Sequence, residues 1–231
     1  LVLLVEFSDI RADRENNPPA EIYRRLFESG GATPSLSTYY RRNSGGRLEL
    51  KGQVTRWVRV DSTMAYYAGE SGGISTQAYP RNAQRLVEEA VAKLADEIDP
   101  REFDNNGDGL IDGLLVIHAG AGVDETSPLS DPDNRRRILA HQFHTPAEVP
   151  FNSLRAFDYA IVDEALRPGV VAHEFGHLLG LIDLYDTGFL TGISGPFGVG
   201  DWSLMGTGAL LNNGRSPANL DAWSRQRLGF I

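Results

Sequence analysis

Residues 170–183 read VVAHEFGHLLGLID, and the reading of this stretch governs the rest of the chain. His173 and His177 stand four apart, so on a helix both imidazoles project from one face and can grip a single metal ion. Glu174 stands one step round, within reach of a water beside such an ion without being a ligand. Phe175, Leu178 and Leu179 fall on other faces and anchor the helix in a core. Pro168 marks the helix start, and Gly180 lets it stop and the chain turn sharply.

A tetrahedral hydrolytic zinc site takes three protein ligands and keeps one position open. No glutamate follows Glu174 and no histidine follows His177, so the downstream carboxylates are Asp183, Asp186, Asp201 and Asp221. Asp183 lies six residues past His177 and just beyond the Gly180 bend, from which the chain can swing it back toward the imidazoles. It is the expected third ligand, with Asp186 the alternative. Further on, residues 201–206 (DWSLMG) place Met205, one of only two methionines, in a glycine-flanked turn. Its expected role is an apolar floor under the metal.

Around this segment the composition narrows the function. The 231 residues are 41% hydrophobic and 23% charged, enough to bury a core. Twenty-two basic against thirty-one acidic residues give a net charge of −9, and only Lys51 and Lys93 are lysines. That balance argues against nucleic acid or an anionic membrane surface as partner. The absence of cysteine excludes disulfides, thiolate metal sites and a cysteine nucleophile. Residues 1–5 are apolar but too few to span a membrane or form a signal-peptide core. The chain reads as a segment of a longer precursor whose export signal lies outside it.

Residues 1–7 (LVLLVEF) and 114–117 read as buried strands, with further strand pieces near 138–141 and 157–162. Residues 48–50 and 54–60 alternate about Gly52 like a hairpin, with Trp57, Tyr66 and Tyr67 as core or cleft aromatics. Helices are expected from Pro19 to Glu28, from a Ser35 cap through Tyr39 and Tyr40, over 77–98, and from Ser216-Pro217 onward. Arg135, Arg136 and Arg137 read as a solvated loop. The texture changes beyond Gly180, so one catalytic domain is expected with an N-terminal lobe over about 1–180 and a small irregular lobe over 181–231.

Residues 104–112 (DNNGDGLID) carry oxygen donors at alternate positions with glycine at the sixth, like the front of a calcium loop. Asp104, Asn106, Asp108 and Asp112 by side chain and Leu110 by carbonyl are the expected calcium ligands, and calcium would replace the absent disulfides as a staple. The twelfth position is Leu115 rather than glutamate, so this is not a complete EF-hand. His118, His141 and His144 read as structural histidines.

The extended motif with its methionine turn resembles the metzincin zinc peptidases. The Asp183 ending followed by Leu184-Tyr185-Asp186, the turn at 202–206, and the stretches 1–9, 105–120 and 222–230 resemble the immune inhibitor A family of secreted bacterial metalloproteases. The similarity covers nearly the whole chain. It implies an α/β (α+β) metzincin-like catalytic domain with a twisted, mostly parallel sheet. It also implies zinc on His173, His177 and Asp183, Glu174 as general base, and a secreted monomer cutting protein or peptide substrates. Substrate is expected antiparallel to an edge strand, near residues 138–143. The third ligand is aspartate where many metzincins have histidine, and Thr207 stands where some carry a transition-state tyrosine; Tyr185 is the candidate replacement. The alternative is a calcium-stabilised binding or adhesive domain with an idle motif, whose mark would be a broken His-Glu-x-x-His.

Overall fold

The continuous burial of Val2–Glu6 is the signature of a parallel strand covered on both faces, and it stands near the middle of the sheet. The computed structural model describes residues 1–123, 133–187 and 198–231. In chain order its elements are β1 (Val2–Glu6), α1 (Pro19–Phe27), α2 (Leu36–Asn43), β2 (Val54–Arg59), α3 (Met64–Ala68), α4 (Ala83–Leu94), β3 (Leu115–His118), β4 (His141–Phe151), β5 (Leu154–Asp163), α5 (Pro168–Leu178) and α6 (Ala222–Arg227). They gather into two compact units, each made from two separated stretches: Leu1–Ala20 with Gln53–Ala165, and Glu21–Gly52 with Leu166–Ile231. The grouping does not follow the textural break near residue 180, because residues 166–180 group with the C-terminal segment.

The first unit holds a five-stranded sheet in the order β2-β1-β3-β5-β4. Four strands run parallel, and only β4 is antiparallel, pairing with β5 at the edge. This is the mixed α/β, mostly parallel architecture that the resemblance implies. Helix α4 seats Leu86, Val87, Ala90, Val91 and Leu94 in one core with Leu3, Val5, Val58, Val116 and Ile161. Glu6, buried at the end of β1, is satisfied by the Ala12 amide at 3.3 Å and the Arg14 guanidinium at 3.2 Å.

Three local expectations are corrected by the structure. The long helix begins at Ala83, not 77: Pro80 offers no N–H to a helical ladder, and the Asn82 side chain caps the first turn through Arg85 N. Residues 48–50 form no strand, because β2 finds its partner in β1, parallel, instead of in a hairpin. Strand β4 begins at His141 instead of 138, and it turns into β5 through Asn152 at φ 54°. Of the arginine run, Arg135 pairs with Glu70 at 3.4 Å; residues 124–132 of the loop before it and 188–197 of the glycine-rich segment lie outside the described residues.

In the second unit Ser35 caps α2 as expected, accepting from Thr38 N at 3.1 Å. The last helix is shorter than Ser216-Pro217 suggests, since Asp221 is its cap. Tyr40 ties α2 to α5, donating its hydroxyl to Ala172 O at 2.7 Å with its ring on Phe175 at 5.5 Å. Among the described residues no helix is long and apolar enough to cross a membrane.

Candidate metal centre

Helix α5 carries the motif, and the way it ends shapes the site. Gly180 takes φ +90°, Leu181 N reaches back to Gly176 O at 3.0 Å, and Gly180 N to His177 O at 2.9 Å. These two bonds make a Schellman turn, in which a residue in the left-handed region reverses the chain. The reversal sets the Leu181 carbonyl 2.9 Å from His177 Nδ1 and brings Asp183 back over the helix. The turn of 203–206 supplies the second backbone support, with Leu204 O 2.9 Å from His173 Nδ1.

A carbonyl oxygen can only accept, so each Nδ1 carries the hydrogen and each neutral imidazole leaves Nε2 as a bare lone pair. The two Nε2 atoms lie 3.1 Å apart, and Asp183 Oδ1 lies 3.1 Å from His173 Nε2 and 3.3 Å from His177 Nε2. Asp183 Oδ1 is buried and receives no hydrogen-bond donor. Three electron-rich atoms therefore face one point with nothing positive between them. A tetrahedral cation with bonds of about 2.0–2.1 Å has ligand-to-ligand edges of about 3.3 Å, so the donor set fits one. Among the described residues this is the one group of three or more His, Cys, Asp or Glu side chains converging within 4.8 Å.

In the metal-free chain a proton is drawn to the same point. Burial works against a charge on His173, but the Asp183 carboxylate, helped by Glu174 and the Leu204 carbonyl, overrides it and holds the imidazole up at about 9. Burial also works against the Asp183 charge, yet the two imidazoles facing it hold its carboxyl well below the usual carboxylate range. The pocket is built for positive charge. Glu174 is buried on the same helix, and its negative charge is one of the groups acting on His173.

The remaining expected residues divide. Asp183 closes the group, and Asp186 is exposed outside it. Met205 is fully buried, with its carbonyl accepting from Leu184 N at 2.8 Å. A Cβ on Gly176 would stand 2.9 Å from Met205 Sδ and 3.0 Å from Tyr40 Oη, so a glycine in mid-helix lets both pack against the motif. The Tyr185 ring stacks on His173, centroids 6.2 Å apart. The side chains of Asp104, Asp108 and Asp112 do not converge into a metal-holding group. Asp104 instead accepts the amides of Gly107, Asp108 and Gly109 at 2.7, 3.2 and 3.0 Å, and Asp112 accepts that of Asn105 at 2.7 Å. The loop is closed by its own hydrogen bonds, and the arrangement with Asn106 and Leu110 lends calcium no support.

Sequence reading missed Tyr40, Gly176, Ser203 and the carbonyls of Leu181 and Leu204. A glycine inside a helical pattern is a legible sign of close packing; the two carbonyls carry no sign at all.

Comparison with known proteins agrees with this geometry. The family described as Immune inhibitor A peptidase M6, catalytic domain, matches residues 23–229. The chain is similar to the pre-pro-metalloprotease PrtV of Vibrio cholerae serotype O1, at 32% identity over 99% of this chain and 29% of that protein. It is also similar to immune inhibitor A of Bacillus thuringiensis subsp. alesti, at 30% identity over 98% of this chain and 39% of that protein. The chain thus spans about a third of the length of these relatives. With the match covering most of its length, the chain belongs to the immune inhibitor A peptidase family M6, in the part that forms the catalytic domain.

Proposed function

We propose that this chain is a single zinc-dependent endopeptidase domain, acting as a secreted monomer on protein or peptide substrates. The observation that carries the reading is the convergence of His173 Nε2, His177 Nε2 and Asp183 Oδ1 at 3.1–3.3 Å, beside a buried Glu174. Membership of a peptidase family named for its catalytic domain supports it.

His173 and His177 would hold the ion through Nε2, with Leu204 O and Leu181 O fixing their ring orientation. Asp183 would complete the set and offset one unit of its charge. When bound, zinc supplies Lewis acidity that polarises the carbonyl to be cut and makes water acidic near neutral pH, toward a pKa of ~7. Glu174 would accept the proton of the attacking water and pass it to the departing nitrogen. Tyr185, stacked on His173, is the candidate donor to the oxygen on which charge develops. An idle-motif binding domain draws no support from an intact donor set.

The test is Glu174→Gln. The variant should bind zinc one to one, as wild type does, while casein cleavage falls by about 10²–10⁴-fold. Wild-type cleavage by that variant overturns the assignment.

A further inference from the structure

The support behind His173 does not end at the Leu204 carbonyl. Leu204 O and Met205 N belong to one peptide group, and in a trans peptide the C=O and N–H point in opposite directions, so fixing one end aims the other. Met205 N donates to Ser203 Oγ at 3.1 Å, and Ser203 Oγ donates to Asp221 Oδ2 at 2.6 Å. Ser203, Leu204 and Met205 are all fully buried. Leu204 N is held separately, donating to Asn219 O at 3.1 Å.

Every direction in this chain of bonds is forced. The carboxylate of Asp221 can only accept, and the Met205 amide can only donate, so the Ser203 hydroxyl must turn its proton to Asp221 and its lone pair to Met205. The His173 Nδ1–H then donates to Leu204 O at the far end. Three hydrogen bonds run the same way, from imidazole to peptide to hydroxyl to carboxylate. Bonds aligned in this manner polarise one another inside a low-dielectric interior. His177 has no comparable extension among the described bonds beyond Leu181 O.

We infer that Asp221 is a positioning residue of the metal centre, acting through Ser203 and the Leu204–Met205 peptide to hold the hydrogen on His173 Nδ1 and keep Nε2 turned to the ion. It is the carboxylate–histidine–metal pairing of other metal sites with a serine and a peptide group interposed. The inference rests on the proposed metal site.

Asp221 also caps α6, accepting from Ser224 N at 3.0 Å and Ser224 Oγ at 2.7 Å, so the test must separate the two roles. Asp221→Asn keeps a good cap and removes the charge; Ser203→Ala breaks the relay and leaves the cap; Ser224→Ala weakens the cap and leaves the relay. Zinc affinity is read by chelator competition on the full chain. Asp221→Asn and Ser203→Ala should each weaken zinc binding about tenfold, and the double variant should lose no more than either alone. Ser224→Ala should melt lower with zinc affinity unchanged. In the metal-free protein, NMR should show the His173 Nδ1–H protected from exchange in wild type and exchanging faster in both relay variants. Full zinc affinity in Asp221→Asn, or losses that add in the double variant, overturns the relay and leaves the proposed function standing. If wild type binds no zinc, the proposed function fails, and unchanged Nδ1–H exchange in the two variants would then overturn the relay by itself.

Discussion

His177 Nε2 lies 3.1 Å from His173 Nε2, lone pair toward lone pair, each ring held there by a backbone carbonyl behind its Nδ1. With Asp183 Oδ1 closing the triangle, the arrangement is unfavourable until a cation stands within it. Either a metal ion or a proton can be that cation, and the consequences are measurable.

Protons and zinc compete for the same atoms. In the metal-free chain His173 is held up at about 9, so below that pH a proton must leave before an ion binds. Apparent zinc affinity should therefore rise about tenfold per pH unit between roughly pH 6.5 and pH 9, then level off. A chelator competition series checks this, and a flat profile contradicts it. The stability of the metal-free chain runs the other way. A folded pKa above the unfolded one stabilises fully below about pH 6.5, and that contribution disappears as the pH rises through about 9. The metal-free protein should melt lower at high pH, and the zinc-loaded protein should not show this loss.

Gly180 at φ +90° is the hinge that returns Asp183 to the imidazoles. Alanine there costs about 1–2 kcal/mol of backbone strain. Gly180→Ala should also weaken zinc binding about tenfold, because the Leu181 carbonyl and Asp183 both hang from this turn. Gly229, at φ +70° with open space around it, is the control: Gly229→Ala should lose similar stability and keep its zinc.

The first unit carries its own acid sensitivity. His118 is fully buried, and burial holds its imidazole below the ordinary value. Burial likewise pushes His141 down to about 4, despite the Leu139 carbonyl that accepts from its Nδ1 at 2.8 Å. Both pKa values are depressed in the fold, so stability is complete above about pH 6.5 and declines as the pH falls toward 4. The decline from His141 is up to about 3 kcal/mol. Urea midpoints of the zinc-loaded protein at pH 7.5, 6 and 5 should fall in that order; equal midpoints would contradict the burial argument.

Asp104 accepts three backbone amides at once. Asp104→Ala should cost about 1–3 kcal/mol by leaving those donors without a protein partner. The loss should be the same in added calcium and in a calcium chelator. A cost that appears only with calcium present would show that the loop holds the ion.

Much of the centre was legible from residue identities alone. The four-residue spacing of His173 and His177 guarantees a common helical face, the absence of later glutamate or histidine left only aspartates, and Gly180 marked where the chain bends toward Asp183. The strand at residues 1–7 was legible because a parallel strand covered on both faces shows as an unbroken apolar run. The 48–50 hairpin failed for a physical reason. Alternation says what a segment offers, while the partner it takes is settled elsewhere: β1 for β2.

By itself the sequence determined which side chains bear the chemistry and which way the helix presents them, since helical pitch and glycine's backbone freedom are local properties. Tertiary structure alone decided that the carbonyls of Leu181 and Leu204 hold the imidazoles, and that Asp221 stands behind one of them. Every residue carries a carbonyl identical to its neighbour's, so only packing can select the one that orients a ligand.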